Sequence, residues 1–155
     1  MPVNDDMDAL FPVSPTLILS GFTTSPSLAS SIPQVSLVSL TDSALRVHKV
    51  TSHTTHSIVT PPPSAFPDSV QAPTEAWEAF HPAGSINPGN KEAPRGGFGF
   101  YLRGPKAFQD ALKDGLPEEV MMSYAVMFEE GWAWQKGGKL PGVCAFPVLL
   151  YATIC

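Results

Sequence analysis

Apolar and polar positions alternate most clearly at Phe98, Phe100 and Leu102, which are interleaved with Gly99 and Tyr101. A period of two sends successive side chains to opposite faces of a strand. This stretch therefore predicts a strand with one aromatic and aliphatic face and a second face carrying Tyr101. Val120 to Phe128 predicts another strand. Val120, Met122, Tyr124, Val126 and Phe128 lie on one face and Met121, Ser123, Ala125 and Met127 on the other. Both faces are apolar enough for an interior strand. Shorter β-compatible stretches run from Val35 to Leu40, Leu45 to Val50 and His56 to Thr60, the first two separated by the turn-type cluster Thr41-Asp42-Ser43. In Glu75 to Phe80 the spacing of Trp77 and Phe80 suits a helix face. Lys106 to Lys113 is the one stretch that predicts a short helix from its own signals, closed by Gly115 and Pro117.

Between these elements the chain is irregular. Residues 1–35 are rich in Pro, Ser and Thr and hold no sustained period, so they predict loops and extended segments, an irregular N-terminal segment ahead of a domain over 36–142. Five prolines between Pro61 and Pro73 predict a polyproline-like surface loop. His81 to Gly89 reads as turns, and no internal repeat is present. Many short strands with Gly and Pro punctuation predict an all-β fold, a two-sheet antiparallel β-sandwich.

Composition sharpens this picture only in places. Seventeen prolines and 15% charged residues argue against a helical bundle, because proline removes a backbone donor and breaks helices. A net charge of −5 gives no basic face for nucleic acid. Seven of the nine Lys and Arg lie between Lys91 and Lys139, but seven Asp and Glu lie there too. Any attraction for a polyanion must therefore be local to a cleft. Cys144 and Cys155 could pair but form no disulfide framework, which leaves the redox compartment open. The N-terminus is acidic at Asp5, Asp6 and Asp8, and Leu17-Ile18-Leu19 is too short for a secretory leader. No apolar run of about 20 residues predicts a membrane span. Localisation stays open, secreted if a leader was lost from the sequence.

Two motifs carry the functional signal. Arg95-Gly96-Gly97-Phe98-Gly99-Phe100-Tyr101 is followed, after the Val120–Phe128 stretch, by Gly131-Trp132-Ala133-Trp134-Gln135-Lys136-Gly137-Gly138-Lys139-Leu140-Pro141-Gly142. Together they resemble family fourteen of the polysaccharide lyases, which cleave uronic-acid polymers such as alginate and glucuronan by β-elimination. The resemblance spans about residues 10–142 and is specific over 95–142. It implies a jelly-roll sandwich, and it favours a strand over Glu75–Phe80. The family pattern stops at Gly142. Eleven of the thirteen residues from Val143 to Cys155 are apolar, without alternation or turn signal. They read as an atypical tail after a lyase-like domain that is truncated before its C-terminal strands.

β-Elimination needs a group to neutralise the carboxylate at C5, a base for the C5 proton and an acid for the departing O4. Positioned positive charge is the main need, and His, Tyr or Lys commonly transfers the proton. The resemblance makes Lys139 the catalytic candidate, presented between the flexible Gly137-Gly138 pair and the stiff Pro141. A lysine with an ordinary pKa near 10.4 is a better carboxylate partner than base, so charge neutralisation is its first role. Tyr101 and Arg95 are the substrate-binding candidates. Tyr101 could line the concave side of the sheet, and Arg95 could hold a carboxylate bidentately. Against these stand a core or rim tyrosine and an arginine that solvates a strand end. His53 and His56 suggest a metal by spacing, but on a strand the rings point to opposite faces and no acidic or Cys partner is nearby in sequence. They read as polar loop histidines, as do His48 and His81, and no metal or cofactor is implied. Trp132 and Trp134 would share a face on an extended segment, either as core or as sugar platforms. Three readings follow: a lyase acting on an anionic polysaccharide, a non-catalytic carbohydrate-binding sandwich using Trp132, Trp134 and Tyr101, and an inactive product.

Overall fold

In the computed structural model, residues 13–62, 74–115, 119–134, 140–146 and 149–154 are described, the last segments (144–146 and 149–154) by their backbone alone. The fold is sheet-rich with few helices, and the described strands close no barrel. Gly21–Thr23 (β1) and Val35–Leu37 (β2) form a parallel pair with Gly21 opposite Val35. Helix Pro26–Ser31 (α1) connects them. Ser25 caps this helix by accepting from the Leu28 N–H at 3.4 Å, and Pro26 sits in the first turn, where its missing N–H costs nothing. The helix ends at Ile32, which precedes Pro33 and is extended and fully buried. Residues 26–31 thus depart from the loops and extended segments predicted there. Their cap signal is local, and six residues are too few to show a period.

The Leu45–Val50 strand is also corrected. Thr41 caps a one-turn helix, Asp42–Leu45 (α2), through its Oγ1, which accepts from the Ala44 N–H at 3.2 Å. The turn-type cluster is therefore a helix start, and only Val47–His48 (β3) is strand. Removing the cap, Thr41→Ala, is expected to cost about 1 kcal/mol. For a chain of this size that is a fall of about 3 °C in melting temperature by circular dichroism.

Ser57–Val59 (β4) pairs antiparallel with Ala76–Glu78 (β5), which resolves the two patterns of that segment in favour of the strand. Phe100–Leu102 (β6) keeps its predicted alternation: Phe100 and Leu102 are 2% and 5% exposed, while Tyr101 is half-buried. The helix predicted over Lys106–Lys113 (α3) forms with those bounds and stops before Gly115 at φ +69°. Phe108 on this helix meets Phe22 of β1 edge-on, with centroids 5.1 Å apart. On its exposed face Lys106 hydrogen-bonds Asp110 and so lowers that carboxyl below its ordinary range. This contribution is present above the ordinary carboxylate pKa and is lost on acidification through the lowered one.

Gly142–Phe146 (β7) and Leu149–Ile154 (β8) form an antiparallel hairpin whose second strand pairs with β6. The resulting antiparallel sheet has the order β3-β6-β8-β7. The apolar stretch after Gly142 is accordingly built into the largest sheet; a short continuous apolar run is compatible with a strand even without alternation. Val120–Phe128, in contrast, forms no strand, and Met121, Tyr124, Val126, Met127 and Phe128 are exposed. Its two apolar faces predicted burial inside a sandwich, but β3 and β8 flank β6 on either side and no described strand pairs with this segment. No described helix is long and apolar enough to cross a membrane.

The described core is small, with Ile32, Leu45, Phe100 and Leu102 buried and an aromatic cluster around Phe100. Phe100 stacks parallel to Phe98 at 5.2 Å and meets Trp77 of β5 edge-on at 4.9 Å, with His56 against the same rings. This cluster joins the β4–β5 hairpin to β6 and leaves the opposite face of β6 for Tyr101.

Candidate functional site

On that opposite face, the β3–β6 register sets His48 directly across from Tyr101, with ring centroids 5.9 Å apart. The Lys49 ammonium stands 5.1 Å from the Tyr101 ring centroid, in cation–π range. One step past the other end of the ladder, Arg46 and Arg103 both line a cleft of about 370 Å³ with Asp42, Ser43, Val47 and His48. Arg46 and Lys49, which bracket β3, have φ of 54° and 52° and are the two described non-glycine residues with positive φ. A side chain in this region costs roughly 1–2 kcal/mol per residue. The turn out of α2 and the turn out of β3 are thus held in strained conformations that carry two cations to one side of the sheet.

A second cluster surrounds the Arg-Gly-Gly segment. Gly96 and Gly97 are buried, and Gly97 has φ +73°. The His81 ring packs against both: a Cβ on Gly97 would lie 2.9 Å from His81 Nε2, and one on Gly96 2.8 Å from Nδ1 and 2.3 Å from Ser85 Oγ. The Gly97 N–H donates to the Phe80 carbonyl at 2.8 Å, and Trp132 closes the far side of the imidazole edge-on at 5.6 Å. The space left by these glycines is therefore taken by a histidine and a serine of the same chain. Arg95 is half-buried in this block, its Nε donating to the Asn90 carbonyl at 3.2 Å. Asn87 and Asn90 accept from the Gly89 and Glu92 N–H groups, each at 2.9 Å, to form the turns beneath it.

The predicted site residues thus fall in different neighbourhoods. Tyr101 faces away from Phe100 and Leu102, beside the cationic cleft, and Arg95 is tied into the His81 block. Lys139 lies outside the described residues. The exit of its motif is described at Leu140 and Pro141: the Tyr124 hydroxyl donates to the Pro141 carbonyl at 3.1 Å. Trp132 is half-buried between His81 and Phe128, whereas Trp134 is 70% exposed with one face against Phe128 at 4.5 Å. His56 lies in the loop before β4, half-buried against the aromatic cluster. Its Nε2 meets both carboxylate oxygens of Asp42 at 2.9 and 3.0 Å while its ring sits among Trp77, Phe98 and Phe100. Among the described residues no three His, Cys, Asp or Glu side chains converge as a metal site would require.

Arg46, His48, Lys49 and Arg103 were not legible as a group in the sequence. The first three sit in a stretch without a motif, and only the pairing of β3 with β6 brings them to Tyr101. The one available signal is the cationic pair at positions 46 and 49 in a region otherwise poor in Lys and Arg.

The family model described as polysaccharide lyase 14 matches residues 70–147, half of the chain. The chain belongs to polysaccharide lyase family 14. Membership points to a lyase-type activity on a polysaccharide. The polysaccharide lyase 14 segment contains Arg95, Tyr101, Arg103, all three tryptophans and Lys139, whereas Arg46, His48 and Lys49 precede it. No curated protein and no solved structure matches the chain.

Proposed function

We propose that this protein cleaves a uronic-acid polymer of the glucuronan or alginate type by β-elimination. The observation that carries the reading is the family match over the segment that includes the Gly-Gly-Lys-Leu-Pro-Gly motif. Lys139 neutralises the C5 carboxylate and so acidifies the C5 proton. A base takes that proton, the C4–O4 bond breaks as the C4–C5 double bond forms, and O4 leaves with a proton from a general acid. Tyr101 lines the substrate cleft, and Arg95 orders the loop around Asn90 or reaches a substrate carboxylate. In this reading the four-stranded sheet is one layer of the jelly-roll sandwich implied by the family.

The test is direct. Purified protein is incubated with polyglucuronate, polymannuronate and polyguluronate, and the ultraviolet absorbance of the unsaturated uronate end is followed. A rise with at least one of them is expected, and its absence with all three would remove the lyase reading. A second reading, a carbohydrate-binding sandwich without catalysis, draws on the 70% exposure of Trp134, whose indole is open to a sugar face. That protein would bind polymer and release no unsaturated product.

A further inference from the structure

The geometry points to a sugar-stacking subsite on the exposed Trp134 indole, held in place by a row of rings that starts at the His81 seat. The inference rests on the polysaccharide substrate of the reading above, and it applies whether the polymer is cut or only held. His81 packs on Gly96 and Gly97 and meets Trp132 edge-on, with centroids 5.6 Å apart. Trp132 lies 5.5 Å from Phe128, and Phe128 lies 4.5 Å from Trp134. A tight turn brings these rings together. The Trp132 N–H donates to the Glu129 carbonyl at 3.1 Å, and Gly131 supplies the φ of +79° that such a turn requires. The chain folds back there, so that Phe128 reaches both tryptophans. Burial falls along the row. The two glycines are buried, His81 and Trp132 are half-buried, and Phe128 and Trp134 are 42% and 70% exposed.

A row built for stability alone would turn its largest outer ring inward, where burial gains most. Here that ring is braced from behind and left open. Val126 and Met127, which precede Phe128, are also exposed, and the exposed Glu129 and Glu130 follow it in the turn. Exposed apolar surface with a polar rim marks a binding surface. A pyranose fits it, because its C–H face covers a flat ring while its hydroxyls stay in water, and an indole offers the broadest such ring. Bracing raises affinity, since a side chain that is already ordered loses little freedom when a ligand arrives. The whole row lies within the segment matched by polysaccharide lyase 14, residues 70–147, and this selects a sugar ring over another protein as its occupant. Stacking of this kind needs no charge, so it grips the polymer without choosing among its uronates.

Binding of end-labelled oligomers of polyglucuronate, polymannuronate, polyguluronate and a neutral β-glucan to the full chain is read by fluorescence anisotropy, in the cold, at low and high salt. Trp134→Ala is expected to bind the preferred oligomer about tenfold more weakly, the worth of one well-placed aromatic contact. The loss is expected to be equal at both salt concentrations, with a melting temperature within about 2 °C of the wild type, as for other surface substitutions. Trp134→Phe is expected to recover part of the affinity. Phe128→Leu is expected to weaken binding in the wild type and to add nothing in Trp134→Ala, because it acts through the indole. Wild-type affinity in Trp134→Ala would overturn the subsite, as would a loss confined to low salt or a wild type that binds none of the four oligomers. A wild-type dimer that Trp134→Ala dissociates in sedimentation, with polymer binding unaltered, would make the row a contact between copies and overturn the subsite too. An equal effect of Phe128→Leu in both backgrounds would overturn the bracing. The lyase reading is judged separately by the absorbance assay. Cleavage with binding and KM unaltered in Trp134→Ala keeps the lyase and removes the subsite. Binding weakened in that variant, with no cleavage by the wild type, keeps the subsite and removes the lyase.

Discussion

Gly97→Ala is expected to lower the melting temperature by about 10 °C, the equivalent of roughly 3 kcal/mol. Two penalties add. An alanine at φ +73° costs roughly 1–2 kcal/mol, and its methyl would come 2.9 and 3.0 Å from His81 Nε2 and Cε1. His81 cannot simply retreat, because Trp132 stands on one side of it and Ser85 Oγ lies 3.5 Å from its Nδ1. Forcing a group into a filled site typically costs 1–3 kcal/mol, and the reduced freedom of the unfolded chain returns only about 0.4–1 kcal/mol. Gly115→Ala separates the two penalties. Gly115 has a similar φ of +69° but nothing within 4 Å of an added methyl. Its fall in melting temperature, by the same thermal scan, is expected to be about a third as large. Equal falls in the two variants would show that His81 packing contributes nothing.

Under the proposed function, Lys139→Gln is expected to reduce kcat on whichever uronan is cleaved by about 10³-fold, the upper range for removing one preorganised electrostatic partner of a reacting anion. Glutamine keeps most of the length and loses the charge, so the loss belongs in kcat rather than in the melting temperature. Lys139→Arg, which restores the charge with a different shape, is expected to recover part of the rate. The measurement is the initial slope of unsaturated uronate absorbance at saturating polymer, beside a thermal scan of each variant. A glutamine variant with wild-type kcat would move the neutralising charge to another residue, and the cations around Tyr101 would be the first to examine.

The elements legible in the sequence were those with local signals. The alternation of Phe98, Phe100 and Leu102 gave both the strand and the placement of Tyr101 on the face opposite Phe100 and Leu102, and the closing glycine gave the bounds of Lys106–Lys113. What the sequence withheld depends on partners far along the chain. Thr41-Asp42-Ser43 serves equally as a turn or a helix cap, and the direction taken by the chain after Leu45 decides which. Val120–Phe128 has the composition of an interior strand but pairs with no described strand, and β8, built from a run without alternation, occupies the adjacent edge of β6. For the candidate site, parity placed Tyr101, but no local pattern could place Arg46 and Lys49 beside it. Their positions depend on two left-handed turns and a two-residue strand.

The position of β8 between β6 and β7 also orders events in time. Residues 100–102 cannot complete their ladder until residues 149–154 are available, while the β7–β8 hairpin needs only its own neighbours in sequence. Closing so long a loop exacts its entropy before any of the new pairing is gained. During translation β6 therefore waits with one edge open until residues 149–154 have emerged and the finished hairpin docks onto it.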